Sequence, residues 1–394
     1  MDDSSGLDIV ARARGLAPLI EASADEIERG RRLTAPVVAA LVEGGLYRML
    51  APRSIGGAEL APAMFMRVLE EIAKADASAA WCLGQCGVCA TVAAYLDPEV
   101  AGEIFGPPTG ILAWGPTTSA APPARVVPGG FRVSGRWSFA SGCRQASWLG
   151  AHVRLLEADG TMRARPDGSA VVRTMLFPAE RARLEDVWHV IGLRGTGTDS
   201  YAVDDLFVPD RYSLARDNHT ECREAGPLYR LSASNIFSMG FGAVALGVAR
   251  AMLDATIAAA RDKQSYGVRH AMREDNFVQS QIGRCEARLR AVRAYLYGCV
   301  DELWRALGGA SGLTDEQRVA LRLASTWTIH QSVEVVDTAY HMMGATAVFN
   351  ANPFERRFRD IHTIAQQSQS RDVHYESVGQ ILLGLPPDAT MFTS

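Results

Sequence analysis

The chain has 394 residues, enough for two or three packed units. Hydrophobic residues make up 48% and charged residues 21%, with a net charge of -4. That balance excludes a disordered or fibrous protein, and without basic tracts there is no footprint for nucleic acid or an anionic membrane. The N-terminus, MDDSSGLDIV, lacks a basic segment followed by an apolar one. Seven cysteines, an odd number, suit free thiols in a reducing compartment. A cytoplasmic location is expected, with no nucleic acid and no membrane as partner.

From Leu7 to Met49 apolar residues recur at helical spacing, and Pro36 suits the first turn of a second helix. Helical patterns follow at Pro62–Ala75 and Ser78–Leu96, with a short helix after Asp97-Pro98. The uncharged runs 77–96 and 231–249 approach membrane-spanning length but are diluted by Gly, Ala and Ser, and read as buried bundle helices. Next, Gly129-Gly130 marks a hairpin turn and residues 131–139 alternate with period two; short apolar segments at Trp148–Leu155, Ala170–Phe177 and Tyr201–Val208 continue the strand texture. Helical periodicity returns over roughly 231–262, 275–308, 314–344 and 371–383. The pattern predicts an α+β, mostly α protein: an N-terminal helical domain (1–110), a middle β domain of barrel or sandwich type (111–225) and a C-terminal helical bundle (226–394).

Three segments carry a resemblance: Gly135-Arg-Trp-Ser-Phe-Ala-Ser-Gly142, then Ile191-Gly-Leu-Arg-Gly-Thr-Gly-Thr198 with Asp205-Leu-Phe-Val-Pro209, then Met343-Gly344 with Asn352-Pro-Phe-Glu-Arg-Arg-Phe-Arg-Asp360. In this order, over about 10 to 390, they resemble the acyl-CoA dehydrogenase superfamily. The resemblance implies a C-terminal four-helix bundle, a flavin and a homotetramer. Dehydrogenation needs a carboxylate base over the flavin. The family's usual position for it is Ser368 here, and the alternative stretch between Glu224 and Asp254 holds no acid. Asp360-Ile361-His362-Thr363 instead resembles the oxygenase components of two-component flavin hydroxylases, which act on 4-hydroxyphenylacetate, dibenzothiophene, indole-type and amino-sugar substrates. Many relatives carry a second His where this chain has Gln366 and Gln367.

The function so implied is a monooxygenase that takes reduced FMN or FAD from a separate flavin reductase, forms a C4a-hydroperoxyflavin with O2, and hydroxylates a small aromatic substrate. His362 would be the catalytic base or proton holder and Ser141 would meet the flavin N5 edge. Trp137, Phe139 and Ala140 would flank the flavin ring, and Thr196 and Gly197 would meet flavin or phosphate from a Gly-rich loop. Arg261 and Gln281 would reach a neighbouring subunit's flavin, with His341 and Gly344 as further contacts. Each has a plainer reading: a core histidine, a turn serine, a core aromatic, a packing loop, exposed helix polar groups, a helix end capped by glycine. Trp81, Phe237, Met239, Phe241, Met342 and Met343 suggest a flat apolar pocket, or simply core. Two rival functions remain: a dehydrogenase with a displaced base, and a flavin-free scaffold. Cys82, Cys86 and Cys89 have a spacing that can hold an iron–sulfur cluster but sit in an apolar helical stretch, which favours buried thiols. No zinc spacing, Rossmann fingerprint or P-loop is present.

Overall fold

The computed structural model describes residues 4–387 apart from 117–120, 167, 217, 265–266, 268 and 310–312. The outermost ends of the expected domains therefore lie outside the described residues. Five α-helices come first: α1 (Ser4–Gly30), α2 (Ala35–Glu43), α3 (Pro62–Ala75), α4 (Ala77–Ala90) and α5 (Pro98–Phe105). Pro36 occupies the first turn of α2 and Pro62 that of α3, where a missing N–H costs nothing. Asp76 caps α4 by accepting from the Ala79 N–H at 2.8 Å. Every residue of α4 is buried, so this apolar helix is the spine of the N-terminal unit.

Eight strands follow: β1 (Leu112–Ala113), β2 (Pro123–Val127), β3 (Gly130–Ala140), β4 (Trp148–Leu156), β5 (Val172–Pro178), β6 (Arg183–Glu185), β7 (Asp199–Pro209) and β8 (Ser213–Leu214). They form one mixed sheet in the order β6-β7-β3-β2-β4-β5-β8, with β1 added beside β4. The β2–β3 turn is Pro128-Gly129, one residue earlier than expected, because Val127 pairs with Gly130 and Gly129 takes φ +77°. The sheet curls until its halves face each other. Trp137 Nε1 on β3 donates to the His152 carbonyl on β4 at 2.9 Å, and the Tyr201 hydroxyl on β7 reaches the Gly150 carbonyl.

The C-terminal helices are α6 (Ala233–Ala260), α7 (Asn276–Leu307), α8 (Asp315–Met343), α9 (Glu355–Ile364) and α10 (Val373–Leu382). Ser232 and Asp275 cap α6 and α7, and a capping box of Thr314 and Gln317 starts α8. Both apolar runs noted in the sequence, Ala77–Tyr95 and α6, pass a length-and-hydropathy test for membrane spans, yet both are packed inside the protein. The additional helix α9 lies against α8 and the loop between β6 and β7.

Candidate active site

The strand β3 ends in an irregularity that separates two aromatic side chains. Simple alternation puts Trp137 and Phe139 on one face. A register shift between Trp137 and Ala140 breaks the alternation, and Phe139 adopts φ +61°. Trp137 consequently points inward, where it is 5% exposed and stacked on Tyr201 at 5.6 Å. That packing is the plainer reading of the two the sequence offered for it, a core aromatic of the sheet. Phe139 points outward, 62% exposed, with the ring of Trp188 set edge-on at 6.3 Å. Ala140 is fully buried and pairs with Asp199 at the strand end.

Ser141 follows, buried, and Gly142 turns the chain at φ +82° in a space where a Cβ would lie 2.7 Å from the Cys86 sulfur. The Ser141 hydroxyl belongs to a chain of hydrogen bonds whose direction is fixed at both ends. Trp81 Nε1 can only donate, and it meets Ser141 Oγ at 3.0 Å. The Leu193 carbonyl can only accept, and Thr196 Oγ1 donates to it at 2.8 Å. Between them Ser141 and Thr198 are 2.8 Å apart, and Thr198 and Thr196 2.6 Å. Since the Thr196 hydrogen is spent on Leu193, Thr198 donates to Thr196 and Ser141 donates to Thr198. Ser141 thus keeps one free lone pair and no free hydrogen.

The loop carrying Leu193 is clamped from several sides, which explains its glycines. A Cβ on Gly192 would meet the Arg359 carbonyl at 2.2 Å, one on Gly195 the Ile27 side chain at 2.1 Å, and one on Gly197 the Arg31 carbonyl at 2.7 Å. For Gly197, φ +48° adds a conformational reason. The Gly-rich run is therefore shaped by close packing against α1 and α9, with Thr196 and Thr198 as its polar contribution to the site.

Helix α9 starts without a side-chain cap and is held by charge instead: Arg356 pairs with Asp25 at 2.7 Å and Arg359 with Glu28 at 2.7 Å. Asp360 accepts from the Leu193 N–H at 2.6 Å. Burial, and the nearby Asp76 carboxylate, raise its pKa to about 7, while burial raises Asp76 to about 6. One helical turn from Phe358, His362 packs on that ring at 4.5 Å and its Nε2 lies 2.9 Å from Asp337 Oδ1 on α8. With Nε2–H donated to Asp337, Nδ1 is the nitrogen left to take a proton. Asp337 was not anticipated from the sequence.

Around Ser141, Trp81 lies flat on Phe241 at 3.8 Å and Phe237 stacks behind it at 5.6 Å. Met239 and Met343 are fully buried, so they serve as core, and Met342 is half-buried. Arg261 is exposed at the end of α6, Gln281 is half-buried early in α7, His341 is exposed in the last turn of α8, and Gly344 ends that helix at φ +54°. Lys263 Nζ donates to the Met343 carbonyl and ties the ends of α6 and α8 together. Among the described residues no hydrogen bond or ring contact links this group to Ser141. Cys82, Cys86 and Cys89 are buried along α4, and burial pushes each thiol up, Cys82 and Cys89 to about 12. Such thiols are inert. Ser368, where a dehydrogenase would hold its base, hydrogen-bonds its neighbour Gln367.

Residues 12–104 match the acyl-CoA dehydrogenase N-terminal domain and residues 239–371 the acyl-CoA dehydrogenase C-terminal domain. The chain is 30% identical to an indole-3-acetate monooxygenase of Pseudomonas putida over 92% of this chain and 90% of the other. It is 29% identical to the oxygenase component of an FADH2-dependent resorcinol hydroxylase from a Rhizobium species, over 96% and 95%. The crystal structure of the HsaA monooxygenase from M. tuberculosis superposes with a TM-score of 0.87 at 26% identity, covering 98% and 99%. The chain belongs to the acyl-CoA dehydrogenase family and, within it, to the flavin-dependent monooxygenases.

Proposed function

We propose that the chain is the oxygenase component of a two-component system, receives reduced flavin from a separate reductase, and hydroxylates a small aromatic substrate. The observation that carries this reading is the polarity of the Trp81-Ser141-Thr198-Thr196-Leu193 chain. Reduced flavin bears a hydrogen on N5 and the oxidised form bears only a lone pair there. A serine that offers a lone pair and no hydrogen suits the reduced form. Phe139, exposed and held at positive φ, would lie against the ring system, with Ala140 beneath it. Bound reduced flavin supplies the electrons with which O2 gives one oxygen atom to the substrate and the other to water.

His362 Nδ1 would take the proton of a phenolic or ring N–H group and so raise the ring's nucleophilicity. Asp337 fixes the tautomer and balances the charge of the resulting imidazolium. Trp81, Phe237 and Phe241 supply a flat apolar wall for the substrate ring. Arg261, Gln281, His341 and Gly344 sit apart from Ser141, which fits contacts across a subunit boundary in a tetramer. Exposed Phe277, Val348 and Phe349, each more than 60% accessible, give that tetramer apolar surface to cover.

The test is to mix the protein with anaerobically reduced FMN, and separately FAD, and then add oxygen on a stopped-flow spectrometer. A distinct spectral phase between the reduced and oxidised flavin supports the oxygenase reading, and the flavin that gives it is the cofactor. Reoxidation at the rate of free flavin with no such phase refutes it.

A further inference from the structure

Among the described residues five that are not glycine take a positive φ: Arg31, Glu59, Phe139, Leu193 and Asp205. Such a backbone is strained for a residue with a Cβ and persists only where its surroundings hold it. Three of the five meet at one residue. Trp188 donates its indole N–H to the Leu193 carbonyl at 2.9 Å, stands nearly perpendicular to the Phe139 ring at 6.3 Å, and accepts on its own carbonyl from Arg31 Nη1 at 3.3 Å. Phe139 and Leu193 belong to the site already described. Arg31 stands outside it, just past the end of α1.

The way α1 ends accounts for the strain at Arg31. The Arg32 N–H bonds the Ile27 carbonyl and the Arg31 N–H the Glu28 carbonyl, both at 3.3 Å. This is a Schellman ending, whose left-handed position is ordinarily a glycine. Gly30 falls one residue too early, and Arg31 takes φ +50°. In return the side chain reaches Asp186 with two prongs: Nη1 and Nη2 each lie 2.7 Å from one carboxylate oxygen. Arg144 also holds Asp186, at 2.8 Å, and Asp199 accepts from the Val187 and Trp188 N–H groups at 3.1 Å. Those bonds attach the segment to the sheet, and Arg31 adds its tie to α1.

The tie continues to the hydroxyl chain. From Arg31 it passes through Trp188 to the Leu193 carbonyl, the acceptor that commits the Thr196 hydrogen and so orients Thr198 and Ser141. The Arg31 carbonyl itself lies 2.7 Å from where a Cβ on Gly197 would stand, between the two threonines.

We propose that Arg31 is a positioning residue for the flavin side of the site: from its strained place at the end of α1 it holds Asp186 and Trp188, and through them fixes the direction of the hydroxyl chain. This rests on the monooxygenase reading above, in which Ser141 faces the flavin.

The test compares the dissociation constants of oxidised and reduced flavin, by aerobic and anaerobic titration, alongside thermal melting. Arg31→Gly suits the backbone and removes the grip. It is expected to melt no lower than the wild type while the oxidised-to-reduced ratio falls roughly 3- to 10-fold. Trp188→Phe, which keeps a ring and loses the indole N–H, should lower the ratio by a similar factor, and the double variant should fall no further. Glu59→Gly relieves the same kind of strain away from the site, φ +47°, and should keep the wild-type ratio. A wild-type ratio in Arg31→Gly overturns the proposal, as does an equal fall in Glu59→Gly, or a fall in Arg31→Gly that comes with a lowered melting temperature. Where Arg31→Gly does not fold, Arg31→Asn, whose side chain tolerates the left-handed region, carries the same expectation. The two readings fail separately: the wild-type reaction of reduced flavin with oxygen reports on the monooxygenase, and the variant ratios report on Arg31.

Discussion

Replacing Thr198 with valine tests the polarised hydroxyl chain directly, because valine keeps the volume and removes the oxygen. Two hydrogen bonds vanish, those at 2.8 Å to Ser141 and 2.6 Å to Thr196. All three side chains are buried, so the loss should destabilise the protein by about 1–3 kcal/mol. The informative effect is on flavin. With Thr198 present, the Ser141 hydrogen is occupied and only a lone pair faces outward; with valine, the hydroxyl turns and donates to oxidised N5 as readily as it accepts from reduced N5–H. The wild-type preference for the reduced form should fall by about one hydrogen bond, ~1.4 kcal/mol or tenfold in the ratio of dissociation constants. Anaerobic and aerobic titrations with the same flavin measure that ratio. Thr198→Ser, which retains the hydroxyl, should restore it, and Ser141→Ala should abolish it. A folded Thr198→Val protein whose ratio matches the wild type would refute the directional argument.

His362→Ala should bind flavin within about twofold of wild type and lose roughly 100-fold or more in hydroxylation rate, the usual contribution of a positioned base, which steady-state product assays would show. Asp337→Asn should lose less than His362→Ala in the same product assay, since the amide oxygen still accepts from Nε2–H without balancing the imidazolium. Asp360 and Asp76 are raised to about 7 and about 6, so their uncharged forms favour the fold. Their stabilising contribution is complete below the ordinary carboxyl pKa of about 4 and is lost as pH rises through 6 to 7. The urea midpoint should therefore fall between pH 5 and pH 8, and Asp360→Asn should flatten that fall. Gly142→Ala forces a Cβ to 2.7 Å from Cys86 at φ +82° and should cost about 1–3 kcal/mol, read as a lowered melting temperature.

The long helices were legible because their signals were local. Sustained periodicity placed α6, α7 and α8 within about two residues at each end, where the structure shows Ser232, Asp275 and Thr314 as caps. The short helix α9 was visible only as a motif: Glu355-Arg-Arg-Phe-Arg-Asp360 has no apolar run, and its order comes from ion pairs to α1, more than 300 residues away. Period-two alternation placed Trp137 and Phe139 together, and a single positive φ divided them. His362 and Ser141 stood out by the strings around them, whereas Asp337 lies 25 residues from His362 on another helix and nothing in its neighbours marks it.

Leu193 has both of its backbone polar groups in use. Its N–H meets Asp360, two residues from His362, and its carbonyl accepts from Thr196 and, at 2.9 Å, from the Trp188 indole. Leu193 itself sits at φ +50°, a conformation that costs a side-chain-bearing residue about 1–2 kcal/mol and that these three hydrogen bonds hold in place. The histidine helix and the serine strand end thus take their positions from the backbone of one residue, whose N–H and C=O lie in the two peptide planes that meet at the Leu193 Cα. Substitutions on the two sides of it cannot be independent, so in evolution or in engineering the proton-handling side and the flavin side will change together, and double variants spanning Leu193 will depart from the sum of their single effects.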